Sequence, residues 1–187
     1  GDGDEDIVAG NTAGYIGFIE NLGEGKKWAE AVRLKAEGEV IRLQAGPKGS
    51  IQGPCEAKWG YTTISVADWD HDGDLDIVAN SIWGKVVWWE NLGQEKLAKA
   101  KPVRFAGTVP KPEWNWWEPT PGEFSTQWRT TPVVIDWNKD GRNDLVMMDH
   151  EGFLALFARN KDGAVTAGQR IFGDGKNPLN IANGRAG

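Results

Sequence analysis

The sequence is poor in the side chains that disulfide, zinc and serine-hydrolase chemistry need. It has one cysteine, Cys55, and two histidines, His71 and His150, among 187 residues. A lone cysteine excludes an internal disulfide framework and predicts a structural thiol. So few histidines argue against a zinc hydrolase, and the lack of a Gly-x-Ser-x-Gly turn argues against a Ser-His-Asp hydrolase.

Basic stripes and long apolar runs are also missing. The formal net charge is -6, from 27 acidic and 21 basic side chains, and no basic stripe points to nucleic acid. No apolar run is long enough to span a bilayer, so we expect no membrane span. The first residues lack the charged-then-apolar pattern of a signal peptide, which a start inside a longer chain could not display.

Two acidic stretches follow one pattern, D-x-[DN]-x-D-G-x-x-D, and an apolar pair follows each. The spacing places oxygen ligands at loop positions one, three, five and nine, with glycine at six for the sharp turn. Such a loop suits a hard cation, and we expect structural calcium. The predicted ligands are Asp68, Asp70, Asp72 and Asp76 in one loop and Asp136, Asn138, Asp140 and Asp144 in the other.

These loops are not EF-hands. An EF-hand needs glutamate at position twelve and helices on both sides, whereas this position holds Ala79 or Met147 and β-type runs flank the loops. Asn138 lowers the ligand charge of the second complete loop. We expect these ions to be structural and not catalytic.

The loops belong to a longer repeat. Asp2 and Asp6 match Asp72 and Asp76, so the copies recur at spacings of 70 and 68 residues, counted from Asp2 to Asp72 to Asp140. Residues 15–23 align with 85–93, and 153–160 fill the same place less closely. The predicted units are therefore 1–57, 58–124 and 125–187.

Each unit reads as strand, acidic loop, strand, tight turn, strand, longer connection and weaker strand. Four strands per repeat are typical of a β-propeller blade. The loop and its flanking strands resemble the FG-GAP/VCBS family of calcium-loop propellers, in which this motif joins the first two strands of a blade. The resemblance implies an all-β fold, a β-propeller of four-stranded blades. It implies less about function, because the family includes adhesion proteins, lectin-like modules and polysaccharide lyases.

Three units are too few to close a propeller, which usually has about four to eight blades. We therefore expect about three blades of a longer, seven-bladed protein, whose remaining blades would be partners of this segment. Calcium loops of this kind load best where calcium is plentiful. An extracytoplasmic location, secreted or periplasmic, follows as an expectation.

Strands that run up and down a blade sort the connections onto two faces. The acidic loops share one face, and the turns between second and third strands share the other with the entries to the first strands. The second face should form a concave site with aromatic walls. Its expected members are Tyr61, Trp83, Trp114, Trp116, Trp117, Trp128, Arg129 and His150.

Two functions remain open. In a uronate polysaccharide lyase, Arg129 would hold the substrate carboxylate, and His150 and Tyr61 would act as base and acid. Tryptophan subsites would hold the polysaccharide: Trp83, Trp114, Trp116, Trp117 and Trp128. The alternative is a non-catalytic, calcium-stabilised glycan-binding or adhesion module. The eleven tryptophans favour a glycan over a protein surface in either case.

Overall fold

Antiparallel β-sheets make up the regular structure of the protein. The computed structural model describes residues 3–47, 55–111 and 117–180, in which the only helical segment is a 3₁₀ turn, Glu56–Lys58. The all-β class predicted from the sequence is confirmed. Within these ranges, nothing helical has the length and apolar character of a bilayer-crossing segment. The predicted ligand Asp2 and the predicted subsites Trp114 and Trp116 lie outside the described residues.

The strands are short, and most connections are turns. In chain order they are β1 Ile7–Gly10, β2 Ile16–Ile19, β3 Val32–Arg33, β4 Lys35–Ala36, β5 Glu39–Val40, β6 Thr63–Ala67, β7 Asp76–Asn80, β8 Val87–Trp89, β9 Lys101–Pro102, β10 Val133–Ile135, β11 Asp144–Met148, β12 Leu154–Phe157 and β13 Gln169–Arg170.

Neighbours in sequence pair with each other. The second sheet has the order β6-β7-β8-β9 and the third β10-β11-β12-β13, both antiparallel throughout. This is the strand order that the sequence predicts for a unit. The first sheet has three strands, β1-β2-β3, which align with β7, β8 and β9 of the second unit, and the chain then forms a separate hairpin, β4-β5.

The second sheet is covered on both faces. Consecutive side chains of a strand point to opposite faces. On β7, Ile77 joins an apolar cluster with Ile16 and Trp89, whereas Val78 joins another with Leu145 and other residues of the third sheet. All five residues of β7 are buried as a result. The apolar core therefore lies between consecutive sheets.

The first strand of the second unit, β6, contacts β1, the second strand of the first unit, and β10, the first strand of the third unit. The Thr63 hydroxyl donates a hydrogen bond to the Thr130 carbonyl (2.8 Å), and the Val134 N–H donates one to Ser65 Oγ (3.4 Å). Within the second sheet, Thr63 stands opposite Asn80 and Ala67 opposite Asp76. The entry to β6 and the turn after β7 therefore share one end of the sheet, and the acidic loop lies at the other.

The two seams between consecutive sheets are not equivalent. At the seam of the second and third sheets, the Asn80 amide nitrogen donates to the Gln127 carbonyl (2.9 Å) and the Thr130 carbonyl (3.0 Å). The residue aligned with Asn80 in the first unit is Gly10, which has no side chain. Thr62 Oγ1 is buried beside it and has no hydrogen-bond partner among the residues that the structure describes. One side-chain difference thus removes a buried hydrogen-bond network.

Gly84→Ala tests how closely the entry segment of the third unit packs on the turn after β7. Gly84 has φ +67°, and a Cβ there would lie 2.2 Å from the Thr126 carbonyl oxygen. Left-handed strain costs about 1–3 kcal/mol, and the clash adds about 1–3 kcal/mol. We expect urea denaturation to show a loss in the free energy of unfolding of about 2–6 kcal/mol.

Gly122→Ala is the matched control. Gly122 has a similar φ of +77°, but open space surrounds the position of its missing Cβ. It should lose only the strain contribution, about 1–3 kcal/mol. Equal losses in the two variants would contradict the close approach at Gly84.

Candidate functional site

Carboxylates converge in the acidic loop after β6. One carboxylate oxygen from each of Asp68, Asp70 and Asp76 lies within 4.8 Å of the others, and Asp70 forms a second such group with Asp72 and Glu90. The four aspartates are ligands that the sequence predicts. Glu90 was missed, although its alignment with Glu20 in the first unit was a signal for it.

Backbone hydrogen bonds shape this loop. Asp68 accepts from the N–H groups of Asp72 (3.1 Å) and Gly73 (3.2 Å), and Asp72 accepts from Asp74 (2.9 Å). Short acidic side chains commonly stabilise tight turns in this way. Gly73 takes φ +98°, which few other residues adopt. Hydrogen bonds among its own groups therefore hold the turn in shape.

The last aspartate of each loop ties the loop to the residues just after the third strand of its unit. Asp76 is fully buried; its Oδ1 accepts from the Asn91 N–H and its Oδ2 from the Trp69 N–H, both at 2.8 Å. The same bond to the aspartate, again at 2.8 Å, occurs at Asp6 and at Asp144. This position therefore has a structural role besides its predicted ligand role.

The charges of the 68–76 loop are crowded. Burial raises the pKa of the Asp70 carboxyl, and the carboxylates of Asp76, Asp72 and Glu90 raise it further. Burial also raises the pKa of Asp76, despite its backbone hydrogen bonds. Asp70 Oδ1 is buried and lacks a hydrogen-bond partner within the described ranges. Such a set of oxygen donors fits a hard divalent cation.

The loop after β10 repeats the backbone of this site but not its charge. Asp136 accepts from the Asp140 and Gly141 N–H groups, both at 3.0 Å. Asn138 stands at the position of Asp70, and the Arg142 guanidinium pairs with Asp140. Among the described residues, the carboxylates of Asp136, Asp140 and Asp144 do not form a group whose oxygens all lie within 4.8 Å of one another. The alignment also puts Ala158 where the second unit has Glu90.

At the opposite end of the sheets, Arg129 and Tyr61 lie together. The guanidinium carbon is 4.0 Å from the centroid of the Tyr61 ring and 5.8 Å from that of the Trp128 ring. Trp59, which the sequence analysis missed, meets Tyr61 edge to face at 5.8 Å. Tyr61 and Arg129 occupy equivalent entry positions and both have left-handed backbone, with φ +49° and +58°.

Arg129 already has a carboxylate partner in the protein. Its Nη2 lies 2.5 Å from Glu56 Oε1, and the Glu56 side chain is 1% exposed. The Arg129 side chain keeps 32% of its surface exposed. The sequence analysis expected this guanidinium to face a substrate carboxylate and did not foresee the ion pair. A buried carboxylate therefore balances most of the charge that Arg129 brings to the surface.

Two more of the predicted tryptophans form a neighbouring pair. The rings of Trp83 and Trp117 meet edge to face with centroids 6.1 Å apart, and the Lys85 ammonium lies 5.0 Å from the Trp117 centroid. The turn that carries Trp83 is bonded to the entry segment of Arg129, since the Arg129 N–H donates to the Ser81 carbonyl (3.0 Å). The pair and the arginine group thus adjoin.

His150 lines a separate cleft of about 330 Å³ with a floor that includes Phe105, Phe124 and Phe157. Arg129 and Tyr61 are not among the residues that line it. Burial lowers the pKa of His150, against the opposing effect of Asp149 and Glu151, so the imidazole is neutral at pH 7. The predicted residues therefore divide between an arginine–aromatic group and the cleft of His150.

The crowding around Asp70 predicts a pH dependence. The folded-state pKa values of Asp70 and Asp76 lie above 3.8, so between 3.8 and those values the folded chain holds protons that the unfolded chain has lost. In a chelating buffer their contribution to the free energy of unfolding falls as pH rises through this window. Asp70→Asn should reduce this fall and be more stable than the wild type at pH 7, as measured by urea denaturation at pH 4 and pH 7.

Asp74→Asn is the matched control, because Asp74 is an exposed carboxylate of the same loop and belongs to neither carboxylate group. It should keep the fall in stability of the wild type. Asn138 occupies the equivalent of position 70 in the other loop, so asparagine is compatible with this turn. An Asp70→Asn variant that is less stable than the wild type at pH 7 in chelator would contradict the inferred repulsion.

No protein-family model matches this chain, and neither does any curated protein or any solved structure. The likeness to calcium-loop propellers therefore depends on the residues of the repeat alone.

Proposed function

We propose that this chain is part of an FG-GAP/VCBS-type β-propeller that binds a polysaccharide. In this proposal the units 1–57, 58–124 and 125–187 are consecutive blades and the first strands surround a central axis. Support comes from the seventy-residue repeat, the meander order of the second and third sheets, and the contacts of β6 with β1 and β10, which place consecutive sheets next to each other. The remaining blades would belong to the same protein.

The arginine–aromatic group carries the binding proposal. Aromatic faces beside polar groups suit sugar rings, whose apolar faces stack while their hydroxyls form hydrogen bonds. Arg129 lies over Tyr61 with Trp59 and Trp128 nearby, and Trp83 and Trp117 adjoin this group. Left-handed backbone at both Tyr61 and Arg129 costs about 1–3 kcal/mol each, a strain that is concentrated at functional sites.

The ion pair between Glu56 and Arg129 determines which kind of ligand we propose. A guanidinium has five N–H donors, and the hydrogen bond to Glu56 uses one of them. Arg129 can therefore contact hydroxyls or a carboxylate of a sugar while its charge stays balanced. This supports a uronate-containing polysaccharide as the ligand.

A uronate lyase is the second candidate. In β-elimination, a base removes the C5 proton, the C4–O bond breaks, an acid protonates the leaving oxygen, and a C4=C5 double bond forms. Tyr61 beside Arg129 and a neutral His150 are suited to such proton transfers. The Glu56–Arg129 pair and the separate cleft of His150 favour binding over catalysis, so we place the lyase second.

Trp59→Ala tests the binding proposal. A ring stacked on a sugar contributes about 0.5–1.5 kcal/mol, so the affinity for an oligogalacturonate should fall about 2–13-fold by calorimetry. Trp28→Ala is the matched control, since both tryptophans are 40% exposed and Trp28 lies in the first unit, away from this group. Its affinity should match the wild type. Equal losses, or no saturable binding to this or a neutral oligosaccharide, would contradict the proposal.

The same titration distinguishes the lyase. Elimination conjugates the new double bond with the carboxylate, so ultraviolet absorbance rises with turnover. A rise that His150→Gln abolishes, with binding retained, would favour the lyase. Binding without any rise across a panel of uronate glycans would leave the non-catalytic module.

We further propose that the 68–76 loop holds structural calcium through Asp68, Asp70, Asp72 and Asp76, with Glu90 beside it. The ion would neutralise the crowded carboxylates and fix the turn. The loop with Asp136, Asn138, Asp140 and Asp144 would bind more weakly, because Arg142 already pairs with one of its carboxylates. Calcium of this kind supports a secreted or periplasmic location.

Calcium should raise the melting temperature of the wild type. The affinity should fall at least about tenfold in Asp70→Asn, the equivalent of about 1.4 kcal/mol, and much less in Asp74→Asn. Isothermal titration calorimetry with calcium chloride measures both. An unchanged melting temperature in the wild type, or equal affinities in the two variants, would contradict the site.

A further inference from the structure

Two arginines direct guanidinium nitrogens into one space beside the turn that follows β12. A Cβ on Gly163 would lie 3.2 Å from Nη2 of Arg104 and 3.5 Å from Nη2 of Arg159. Gly163 has φ +76°, and a side chain there would crowd both guanidinium groups. The two like charges therefore face each other across a small gap in the surface between the second and third sheets.

The surrounding contacts hold one of these arginines in place. The Arg159 guanidinium lies over the Trp69 ring, with its central carbon 4.2 Å from the ring centroid. Its Nε donates to the Gly163 carbonyl (3.3 Å) and its Nη1 donates to the Trp69 carbonyl. These bonds use two of its three nitrogens and leave Nη2 directed toward the gap. Arg159 is thus a preorganised donor.

Arg104 is exposed, and its positively charged guanidinium lies at the same gap beside Gly163. In the described part of the chain, its guanidinium has no hydrogen-bond acceptor and no carboxylate within ion-pair distance. Burial lowers the pKa of Arg159, and the neighbouring charges of Arg104 and Arg142 act in the same direction, opposed by Asp70 and Asp76. The carboxylates of Asp70 and Asp76 therefore act on Arg159, whereas Arg104 has no carboxylate partner among the described residues.

We propose that Arg104 and Arg159 form an oxyanion site over Gly163, which takes a carboxylate or sulfate group. An oxyanion between the two Nη2 atoms would accept a hydrogen bond from each and remove their mutual repulsion. The shared chemistry is that of free inorganic sulfate and of an acidic group on a glycan. The site uses none of the residues of the arginine–aromatic group, so it stands independently of the proposed polysaccharide site.

The test follows the Gly163 amide and the Arg159 Nε–H signals by NMR while sodium sulfate is added at constant ionic strength. Both signals should shift and saturate. Arg104→Gln should weaken the apparent sulfate affinity at least about fivefold, and its exposed position leaves the core unchanged. Arg33→Gln is the matched control, since Arg33 is an exposed arginine of β3, and it should change the affinity less than about twofold.

A second titration separates the two sources of the anion. Displacement of sulfate from Gly163 by a galacturonate trisaccharide would assign the site to a glycan, and sulfate saturation without displacement would assign it to a free anion. Non-saturating shifts, or equal weakening by the two arginine variants, would overturn the proposal. Because Trp59 takes no part in this site, Trp59→Ala should leave sulfate binding unchanged even where it weakens oligogalacturonate binding.

Discussion

The hydrogen bonds of the last aspartate in each acidic loop are the interaction on which the local architecture depends. Asp6, Asp76 and Asp144 each accept an N–H from a residue just after the third strand of their own unit, and the two complete loops add a bond from the loop itself. A carboxylate that accepts backbone bonds inside the protein is well satisfied even when it is fully buried. One side chain thereby fixes the loop, the second strand and the third strand relative to one another. The free carboxylates of the loop are positioned as a consequence.

The sequence predicts best what the backbone repeats. Strand order, turn position and the acidic turn follow from spacings within each unit, because alternation and glycine position are local properties. The same local reasoning sets Trp88 and Trp89 on opposite faces of β8, and they pack against different apolar clusters. The β4-β5 hairpin was not predicted, since its contact with Leu97 of the second unit is a tertiary contact that no local pattern encodes.

The candidate sites were predictable only in part. The nearness of Tyr61 and Arg129 follows from their equivalent entry positions in adjacent units. The Glu56 partner of Arg129 could not be foreseen, because it comes from an irregular connection 73 residues earlier in the chain. The ion pair of Arg142 with Asp140 could not be predicted for a different reason. Loop position seven carries no ligand in the motif, so the pattern assigns no meaning to a cation there.

The missing amide at Gly10 has a consequence for how the molecule opens. Asn80 joins two consecutive sheets by buried hydrogen bonds, whereas at the seam between β1 and β6 the buried Thr62 hydroxyl has no partner among the described residues. An unpaired buried polar group costs about 1–3 kcal/mol. Local unfolding starts where the free energy of opening is lowest. Amide hydrogens of the first sheet should therefore exchange with solvent earlier than those of the other two, so that the molecule frays from one side.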